Sequence, residues 1–423
     1  MNNLDKIPPV GFLPGFFDLG ETYPILEIAE HYQKLGGIVH IYSHGGEYER
    51  LAKAKGFNVI KIEPIASGPD ITRYFLNKSD EEIIKSIKKQ SDIFKNNKIK
   101  SLVQTCSYLD CILTSYYEKI PLISVVSGAV STPFFQQNRA TFPDNMESYF
   151  TKIIPQTIKN QLTNWHTLHY KGPITKKFNR IASKLKIPDK FNYFQDIRMG
   201  NYTLIGDDLQ FLGIKPSNEF SEENFIGPIL SDELFNKNNK LETEILNHLT
   251  RPGNSILLSM GSSKIMKALF LDILEILNNT DYNVIATYTN LLNESELVKY
   301  NDNILLKKFI TNIARLNKMI DIAIIHGGRG TVYNAAYSGK PAVGIPLNGE
   351  QQFNIDNLVR HKTGVRISKT FFNEKKLLKS LNHIFDNYEF YLANAKKLSE
   401  KLPAINSGKK AAKRILDIVK LND

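Results

Sequence analysis

The chain has 423 residues, which exceeds the size of a usual single hydrophobic core and predicts two domains. Its 42% hydrophobic and 23% charged residues are typical of a globular protein, and no apolar run is long enough for a membrane span. The start, Met1 to Lys6, lacks a signal-peptide pattern, so a cytoplasmic location is expected. Cys106 and Cys111 are too few for a disulfide framework and form a weak metal pattern, so we interpret them as packing residues.

The net charge of +11 is partly concentrated in one segment. Residues 152–190 contain nine Lys or Arg and one acidic residue, interleaved with apolar side chains, and residues 85–100 add six Lys against one Asp. Such a patch could meet an anionic membrane surface or a phosphorylated acceptor. A solvated surface in a Lys-rich chain explains it equally well. No recognised nucleic-acid module is present, so no nucleic-acid partner is expected.

Strand-like and helix-like segments alternate along the first half of the chain. In order, the predicted elements are a strand at 10–13, a helix at about 24–34, a strand at 38–42, a helix at about 47–54, and strands at 58–62, 101–104 and 121–126. This βαβ rhythm predicts a parallel, Rossmann-like sheet. Residues 143–200 break the rhythm and predict a basic, aromatic, helical insertion.

A second βα series follows in the other half, so the chain is predicted to be an α/β protein with two Rossmann-like domains. Its predicted strands start at Ser255, Asn283, Ile304, about Asp321 and Ala342, and its last helices cover about 374–385 and 388–419. The polar stretch 231–240 predicts the linker between an N-terminal domain, 1–230, and a C-terminal domain, 241–390.

The most informative segment is His326-Gly-Gly-Arg-Gly-Thr331. An apolar run before it predicts a strand, and helical spacing from Thr331 predicts a helix, so the glycines lie between them. Free N–H groups and the helix dipole favour an anion there, and glycines let phosphate oxygens approach. Further on, Glu350 and Gln351 could hydrogen-bond the hydroxyls of a polyol. An ordinary glycine-rich turn is the alternative. The ordered series, which continues through Gly339-Lys-Pro341, Pro346 and Asn354, is much harder to obtain by chance.

This series resembles the donor-binding region of the GT-B nucleotide-sugar glycosyltransferases, a superfamily that includes UDP-glycosyltransferases, macrolide glycosyltransferases and MurG. The resemblance covers nearly the whole chain. It implies a cleft between the two domains, with the donor on the C-terminal domain and the acceptor on the N-terminal one. It also implies that the final segment, 391–423, packs back towards the N-terminal domain. Because the helix dipole and side chains offset the diphosphate charge in this superfamily, neither a metal nor a cofactor is expected.

The resemblance also implies the donor contacts. His326 and the backbone of Gly328, Gly330 and Thr331 would hold the diphosphate, while Glu350 and Gln351 would bind sugar hydroxyls. The other expected donor contacts are Gly261 and Ser262 at a strand end, Phe309 stacked on the nucleobase, and Asn334 on the ribose. Most relatives have a glutamate in place of Asn334, so the preference for uridine stays open.

Inverting glycosyl transfer needs a base that takes the proton of the acceptor hydroxyl. Relatives usually supply a His in a Gly-His-x-x-Pro turn, which here is Gly20-Glu-Thr-Tyr-Pro24, so Glu21 is the candidate. The Asp that usually orients the His is missing at its expected place, and Asp110 lies one helical turn beyond. Asp18 is a second candidate base and His44 a third, although a helix cap and a turn residue, respectively, are the stronger interpretations of these two.

These observations predict a metal-independent, inverting glycosyltransferase. It would move a sugar from a nucleotide-diphospho-sugar, with UDP-sugar as the preferred class, to a hydroxyl of a small-molecule or lipid acceptor. The alternative is a non-catalytic homologue that binds nucleotide or activates a partner protein, which the missing His and Asp favour. The retention of Thr331, Glu350, Gln351 and Asn354 favours the enzyme. Residues 152–190 add the option of peripheral association with the inner face of a membrane.

Overall fold

The computed structural model describes residues 7–64, 71–105, 108–230, 240–297 and 300–422. Within these ranges, twelve strands form two six-stranded parallel sheets. Cys106 and nearly all of the predicted linker 231–240 lie outside the described residues.

The first sheet is built from the N-terminal half of the chain. Its strands are β1 (Val10–Leu13), β2 (Val39–Ser43), β3 (Val59–Lys61), β4 (Ser101–Gln104), β5 (Leu122–Val126) and β6 (Tyr202–Ile205). Its helices are α1 (Leu19–Lys34), α2 (Glu49–Ala54), α3 (Ile71–Asn77), α4 (Asp80–Asn96), α5 (Leu109–Glu118), α6 (Thr132–Gln136), α7 (Tyr149–Lys152), α8 (Gln156–Leu168), α9 (Pro173–Lys184), α10 (Phe194–Met199) and α11 (Leu209–Leu212). The strands β1, β4 and β5 are buried along their whole length, as expected for a parallel sheet covered on both faces.

The second sheet is built from the C-terminal half. Its strands are β7 (Ser255–Ser259), β8 (Asn283–Thr287), β9 (Ile304–Lys307), β10 (Ile322–Ile325), β11 (Ala342–Gly344) and β12 (Gly364–Arg366). The helices of this half are α12 (Thr243–Leu249), α13 (Lys267–Asn278), α14 (Ile313–Met319), α15 (Arg329–Ser338), α16 (Gly349–Arg360), α17 (Glu374–Asp386), α18 (Tyr388–Lys401) and α19 (Ser407–Asn422). The strand β12 was not predicted, because Gly364-Val-Arg366 is not part of an apolar run.

Both sheets have the same strand order. The first sheet runs β3-β2-β1-β4-β5-β6, and the second runs β12-β11-β10-β7-β8-β9. If the strands of the second sheet are numbered from β7 and read from the opposite edge, the two orders are identical. This is the doubly wound Rossmann order, in which ligands bind where the strand order reverses, beyond the carboxyl ends of the first and fourth strands. The predicted pair of Rossmann-like domains is therefore confirmed, and the places to examine are the ends of β1, β4, β7 and β10.

The end of the chain differs from the prediction. The single helix expected over 388–419 is two helices, α18 and α19, because Pro403 cannot continue a helix and Leu402 before it is extended. Only α19 returns to the first domain, where Ala411 and Ile415 join the core beneath α1. The segment 391–401 instead packs on α15 of the second domain, so the predicted unit 391–423 is wrong in its first third.

The helix after β1 also begins earlier than expected. Asp18 caps α1 by accepting a hydrogen bond from the backbone N–H of Gly20 at 2.6 Å, so the helix starts at Leu19 and contains Pro24. The insertion 143–200 is helical, as predicted, and contributes α7 to α10. Among the described residues, no helix is both long enough and apolar enough to cross a bilayer.

Candidate active site

The glycine-rich turn joins β10 to α15, as the sequence predicts. Gly328 is the N-cap of α15, and no side chain caps this end of the helix. Thr331 donates its hydroxyl hydrogen to the carbonyl oxygen of Gly328 at 2.9 Å, so this hydroxyl would have to rotate to donate to a phosphate. The first backbone N–H groups of a ten-residue helix are therefore available for an anion.

The same turn is held against α16, the helix that carries Glu350 and Gln351. Gly327 has φ +92°, and a Cβ atom there would lie 2.5 Å from the carbonyl oxygen of Gln351, so only glycine fits. Asn354 adds a hydrogen bond from Nδ2 to the carbonyl oxygen of Gly327 at 3.0 Å. These contacts fix the residues predicted to bind the diphosphate relative to those predicted to bind the sugar hydroxyls. They explain why Gly327 and Asn354 belong to the same motif.

His326 lies between the ends of β7 and β10. Gly261 has φ +75°, and a Cβ atom there would lie 2.7 Å from Cε1 of His326, so this glycine makes room for the imidazole. Burial lowers the pKa of His326 to about 4, with the Ser259 backbone opposing the change. The ring is therefore neutral near pH 7, and it can bind an anion as a hydrogen-bond donor but not as a cation.

Glu350 and Gln351 occupy the first turn of α16, and both are partly exposed. Asn348 caps this helix by accepting a hydrogen bond from the N–H of Gln351 at 2.9 Å. The side-chain oxygen of Gln351 accepts a hydrogen bond from Leu347 N at 2.8 Å. That bond orients the amide, so its NH₂ group is the part of Gln351 that could donate to a sugar hydroxyl.

The other three predicted donor residues have different surroundings. Phe309 is exposed just beyond β9, where its ring could receive a base. Ser262 forms a hydrogen bond with Tyr48 of the first domain. Burial raises the pKa of Tyr48, and this hydrogen bond opposes that change. Asn334 is buried on α15 and lines a cavity of about 290 Å³ together with Pro403. Its ribose role stays a prediction.

On the opposite wall of the cleft, Glu21 lies in the first turn of α1, just beyond β1. Its side chain is partly buried and lies against Gly15. Burial raises the pKa of the neighbouring Tyr108, and the Glu21 charge adds a smaller contribution in the same direction. The Tyr108 hydroxyl donates to the carbonyl oxygen of Pro14 at 2.6 Å, which holds the segment after β1 in place.

The two weaker base candidates have structural roles. Asp18 is the exposed cap of α1 described above. His44 is fully buried, with Nε2 3.3 Å from an Asp110 oxygen and 3.6 Å from the Cys111 sulfur. Within the described ranges, these three side chains are the only group of His, Cys, Asp and Glu residues close enough to share a metal ion. The contacts of His44 with Asp110 and Cys111 account for the arrangement of this group, and burial separates all three side chains from the cleft.

Arg329 connects the two walls of the cleft and was missed by the sequence argument. Its Nη2 donates a hydrogen bond to the carbonyl oxygen of Gly20 at 3.3 Å. That carbonyl has no donor from its own helix, because the residue four positions on is Pro24, which lacks an N–H group. Because the helix was predicted to start at Pro24, this free acceptor was not foreseen. The bond places the donor turn directly opposite Glu21.

Asp207 is a second residue that the sequence did not reveal. It follows β6 and is fully buried, with Oδ2 accepting a hydrogen bond from Gly128 N at 2.5 Å. Burial raises its pKa to about 6, although the Arg329 charge opposes this, and the Glu350 charge adds to it. Asp208 is the N-cap of α11, and its N–H donates to the Tyr333 hydroxyl at 3.0 Å. Asp207 is therefore part of the domain interface and not a simple turn residue.

Comparison with known proteins identifies the second domain. Residues 258–415 match the glycosyltransferase family 28 C-terminal domain. The chain is also 26% identical over 211 residues to a protein of Bacillus subtilis (strain 168) described as "Uncharacterized UDP-glucosyltransferase YojK", over 49% of this chain and 50% of that protein. A pyrophosphoryl-undecaprenol N-acetylglucosamine transferase of the same organism is 25% identical over 164 residues, covering 37% of this chain and 44% of the relative. The chain therefore spans about half the length of these relatives.

Solved structures extend the likeness to both domains. The calicheamicin glycosyltransferase CalG4 aligns with a TM-score of 0.67 over 98% of each chain, at 14% identity. The chain has the GT-B fold of these glycosyltransferases. The spinosyn forosaminyltransferase SpnP aligns similarly with this GT-B chain, with a TM-score of 0.65, 14% identity and coverage of 98% and 99% of the two chains. The predicted GT-B fold is confirmed, and at this identity the solved structures establish the fold alone.

Proposed function

We propose that this GT-B protein is a glycosyltransferase that moves a sugar from a nucleotide-diphospho-sugar to an acceptor hydroxyl. The observation that carries the proposal is the uncapped N-terminus of α15, which faces the Glu21 end of α1 and is joined to it through Arg329 and the Gly20 carbonyl. The names of the two Bacillus subtilis relatives support a UDP-sugar as the donor class. The acceptor is a small molecule or a lipid.

On the donor side, the diphosphate would lie at the N–H groups of α15, with a neutral His326 as a further donor. Arg329 would supply a positive charge close to the leaving phosphate as negative charge develops on it. Since these groups can offset the charge of the diphosphate, we propose that transfer needs no metal ion. Glu350 and the NH₂ group of Gln351 would orient the sugar.

On the acceptor side, Glu21 would take the proton of the attacking hydroxyl. The acceptor oxygen forms the new bond to the anomeric carbon from the face opposite the diphosphate. The bond from that carbon to the phosphate oxygen breaks, and the nucleoside diphosphate leaves with the electron pair. Attack from the opposite face inverts the anomeric configuration.

Thermal unfolding in the presence of a panel of nucleotide-sugars tests the donor assignment. Ligands that bind the native state stabilise it by mass action, by about 2.7 kcal/mol at 100 times the Kd. A UDP-sugar is expected to raise the Tm more than the free sugar does, and chromatography of the same samples with hydroxyl acceptors should reveal a glycoside. Equal Tm values for all ligands would contradict the proposal.

One observation favours a non-catalytic homologue as the second candidate. Asp110, the carboxylate nearest to the usual orienting position, pairs with His44 in the core and not with a residue of the cleft. A nucleotide-binding protein without turnover would show donor stabilisation in the thermal assay but would release no nucleoside diphosphate with any acceptor.

A further inference from the structure

The insertion between β5 and β6 exposes an unusual amount of apolar surface. Nine of the nineteen large apolar side chains that are exposed among the described residues lie within residues 146–170. They are Met146, Tyr149, Phe150, Ile153, Ile154, Ile158, Leu162, Trp165 and Tyr170. We call residues 146–170 the outer apolar surface. It comprises α7, α8 and their flanking turns.

The helix α8 is inverted relative to an ordinary surface helix, whose apolar side faces the core. Ile158, Leu162 and Trp165 are 46%, 55% and 62% exposed and lie on one helical face. On the other face, Lys159 and Asn164 are buried.

Hydrogen bonds fix this inverted orientation. The side chain of Asn164 accepts from Ala140 N at 3.1 Å and donates to Ala140 O at 2.8 Å. Lys159 lies 3.0 Å from the Glu147 carboxylate. Since the polar face is satisfied inside the protein, the outward apolar face is a stable feature of the fold that needs an apolar partner.

The outer apolar surface also has a positive rim. Residues 146–176 contain four Lys and one acidic residue, Glu147, which is paired with Lys159. Lys152, Lys171 and Lys176 are exposed.

Further along the predicted basic patch 152–190, three of the cations have partners within the protein. Arg180 and Lys184 both bind the Asp80 carboxylate, and Lys177 donates to backbone carbonyls, including that of Leu76. The surface that combines exposed cations with apolar side chains is therefore narrower than predicted and centred on α7 and α8.

This surface is fixed relative to the donor site. Gln352, on the helix that begins with Glu350 and Gln351, donates to the Thr141 hydroxyl at 2.7 Å and accepts from Asp144 N at 3.0 Å. Residues 141–144 lead directly into the outer apolar surface. A partner bound there would lie at a defined position relative to the cleft.

We propose that the outer apolar surface docks on an anionic lipid bilayer. Tyr149, Phe150 and Ile153, which are 83%, 78% and 80% exposed, enter the interface, and the exposed lysines meet the lipid phosphates. A second copy of the chain is a poorer partner, because a two-fold contact would bring two positive rims together. A lipid-borne hydroxyl then becomes the preferred acceptor class, and this last step rests on the proposed function.

The single tryptophan of the chain, Trp165, gives a direct test because it lies within the outer apolar surface. Its fluorescence emission is expected to shift to shorter wavelength when vesicles of equal parts phosphatidylglycerol and phosphatidylcholine are added. Vesicles of phosphatidylcholine alone should bind at least 10-fold more weakly, and salt should reduce the difference because it screens exposed charges. Unchanged emission with both vesicle types would overturn the proposal.

Variants locate the contact. The triple change Tyr149→Ser, Phe150→Ser and Ile153→Ser is expected to weaken vesicle binding at least 10-fold and to leave Trp165 as the reporter. Phe390→Ser is the matched control, since Phe390 is 52% exposed on α18, and it should bind vesicles as the unaltered protein does. If the triple variant misfolds, Lys171→Glu with Lys176→Glu should abolish the preference for anionic vesicles. If a folded variant bound vesicles as strongly as the Phe390→Ser control, the outer apolar surface would not be the part of the protein that contacts the bilayer.

Two further outcomes are distinguishable. An emission shift that depends on protein concentration without vesicles, with a dimer in sedimentation, would mean that a second copy covers the surface and would overturn bilayer docking. Stabilisation by UDP-sugars is measured without vesicles, so failure of docking leaves the donor assignment intact. Conversely, vesicle binding without donor stabilisation would support the surface and contradict the proposed function.

Discussion

The two walls of the cleft are assembled in different ways. The donor wall consists of His326 to Thr331 together with Glu350 and Gln351, and its parts are joined by short-range contacts through Gly327 and Asn354. The acceptor wall consists of Glu21 and Asp207, which are far apart in sequence and lie beyond two strands that are not neighbours, β1 and β6. Arg329 links them, because it bonds the Gly20 carbonyl and its charge acts on Asp207. The first wall can be recognised in a contiguous motif, whereas the second becomes visible only once both sheets are folded.

The largest expected effect distinguishes two glycines of the donor wall. Gly327→Ala should lower the free energy of unfolding by about 3 kcal/mol, because φ is +92° and the added Cβ meets the Gln351 carbonyl. Gly330→Ala should change stability by less than about 1 kcal/mol, because no atom lies within 4 Å of its added Cβ. Urea unfolding measures the stability of both variants. An equal loss of stability in the two would show that the Gln351 carbonyl does not hold the turn at Gly327.

The acceptor wall is expected to respond to pH through Asp207, whose pKa is raised to about 6. Below about pH 3 this carboxyl is protonated in both the folded and the unfolded chain. As the pH rises towards 6 the unfolded chain loses the proton first, so folding stability falls by about 3 kcal/mol and stays lower above that pH.

Asp207→Asn removes this titration. The variant should therefore gain stability over the unaltered protein at pH 8, and the gain should disappear below about pH 3. Urea unfolding of both proteins at several pH values measures the difference. A gain that is independent of pH would show that Asp207 is not a buried titrating group.

A smaller effect, on donor affinity, is expected for His326 of the donor wall. With a pKa of about 4, the ring stays neutral between pH 5.5 and pH 8, so the Kd of a UDP-sugar should show no histidine titration in that range. His326→Gln should raise this Kd about 10-fold through the loss of one hydrogen bond. His166→Gln, at an exposed position of α8, serves as the control in calorimetry. If the Kd of the UDP-sugar changed with a midpoint near pH 6.5, and His326→Gln removed this change, the neutral state of the ring would be contradicted.

The smallest expected effect concerns the contact between the walls. Arg329→Gln removes the bond to the Gly20 carbonyl and the charge near the diphosphate, and it should weaken donor binding by about 1 kcal/mol with little change in Tm. Arg315→Gln, at an exposed site on α14, is the matched control. Identical donor affinity in the two variants would remove Arg329 from the site.

The sequence predicted well what depends on local pattern. The bounds of β1 and β4 match the expectation, since buried strands of a parallel sheet are continuous apolar runs. The break at Pro403 was overlooked, although proline is a local signal. Arg329, Asp207 and the pairing of His44 with Asp110 could not be predicted, because each joins segments that only the tertiary fold brings together.

The catalytic role of the cleft is tested by comparing the unaltered protein with Glu21→Gln. Release of nucleoside diphosphate from a UDP-sugar in the presence of acceptor is followed alongside calorimetry of donor binding. Loss of the base should lower the transfer rate by about 10²- to 10⁴-fold, while the donor Kd stays unchanged, because the donor is held by the other wall. Full transfer activity in Glu21→Gln would contradict the claim that the two walls form one catalytic cleft with Glu21 as its base.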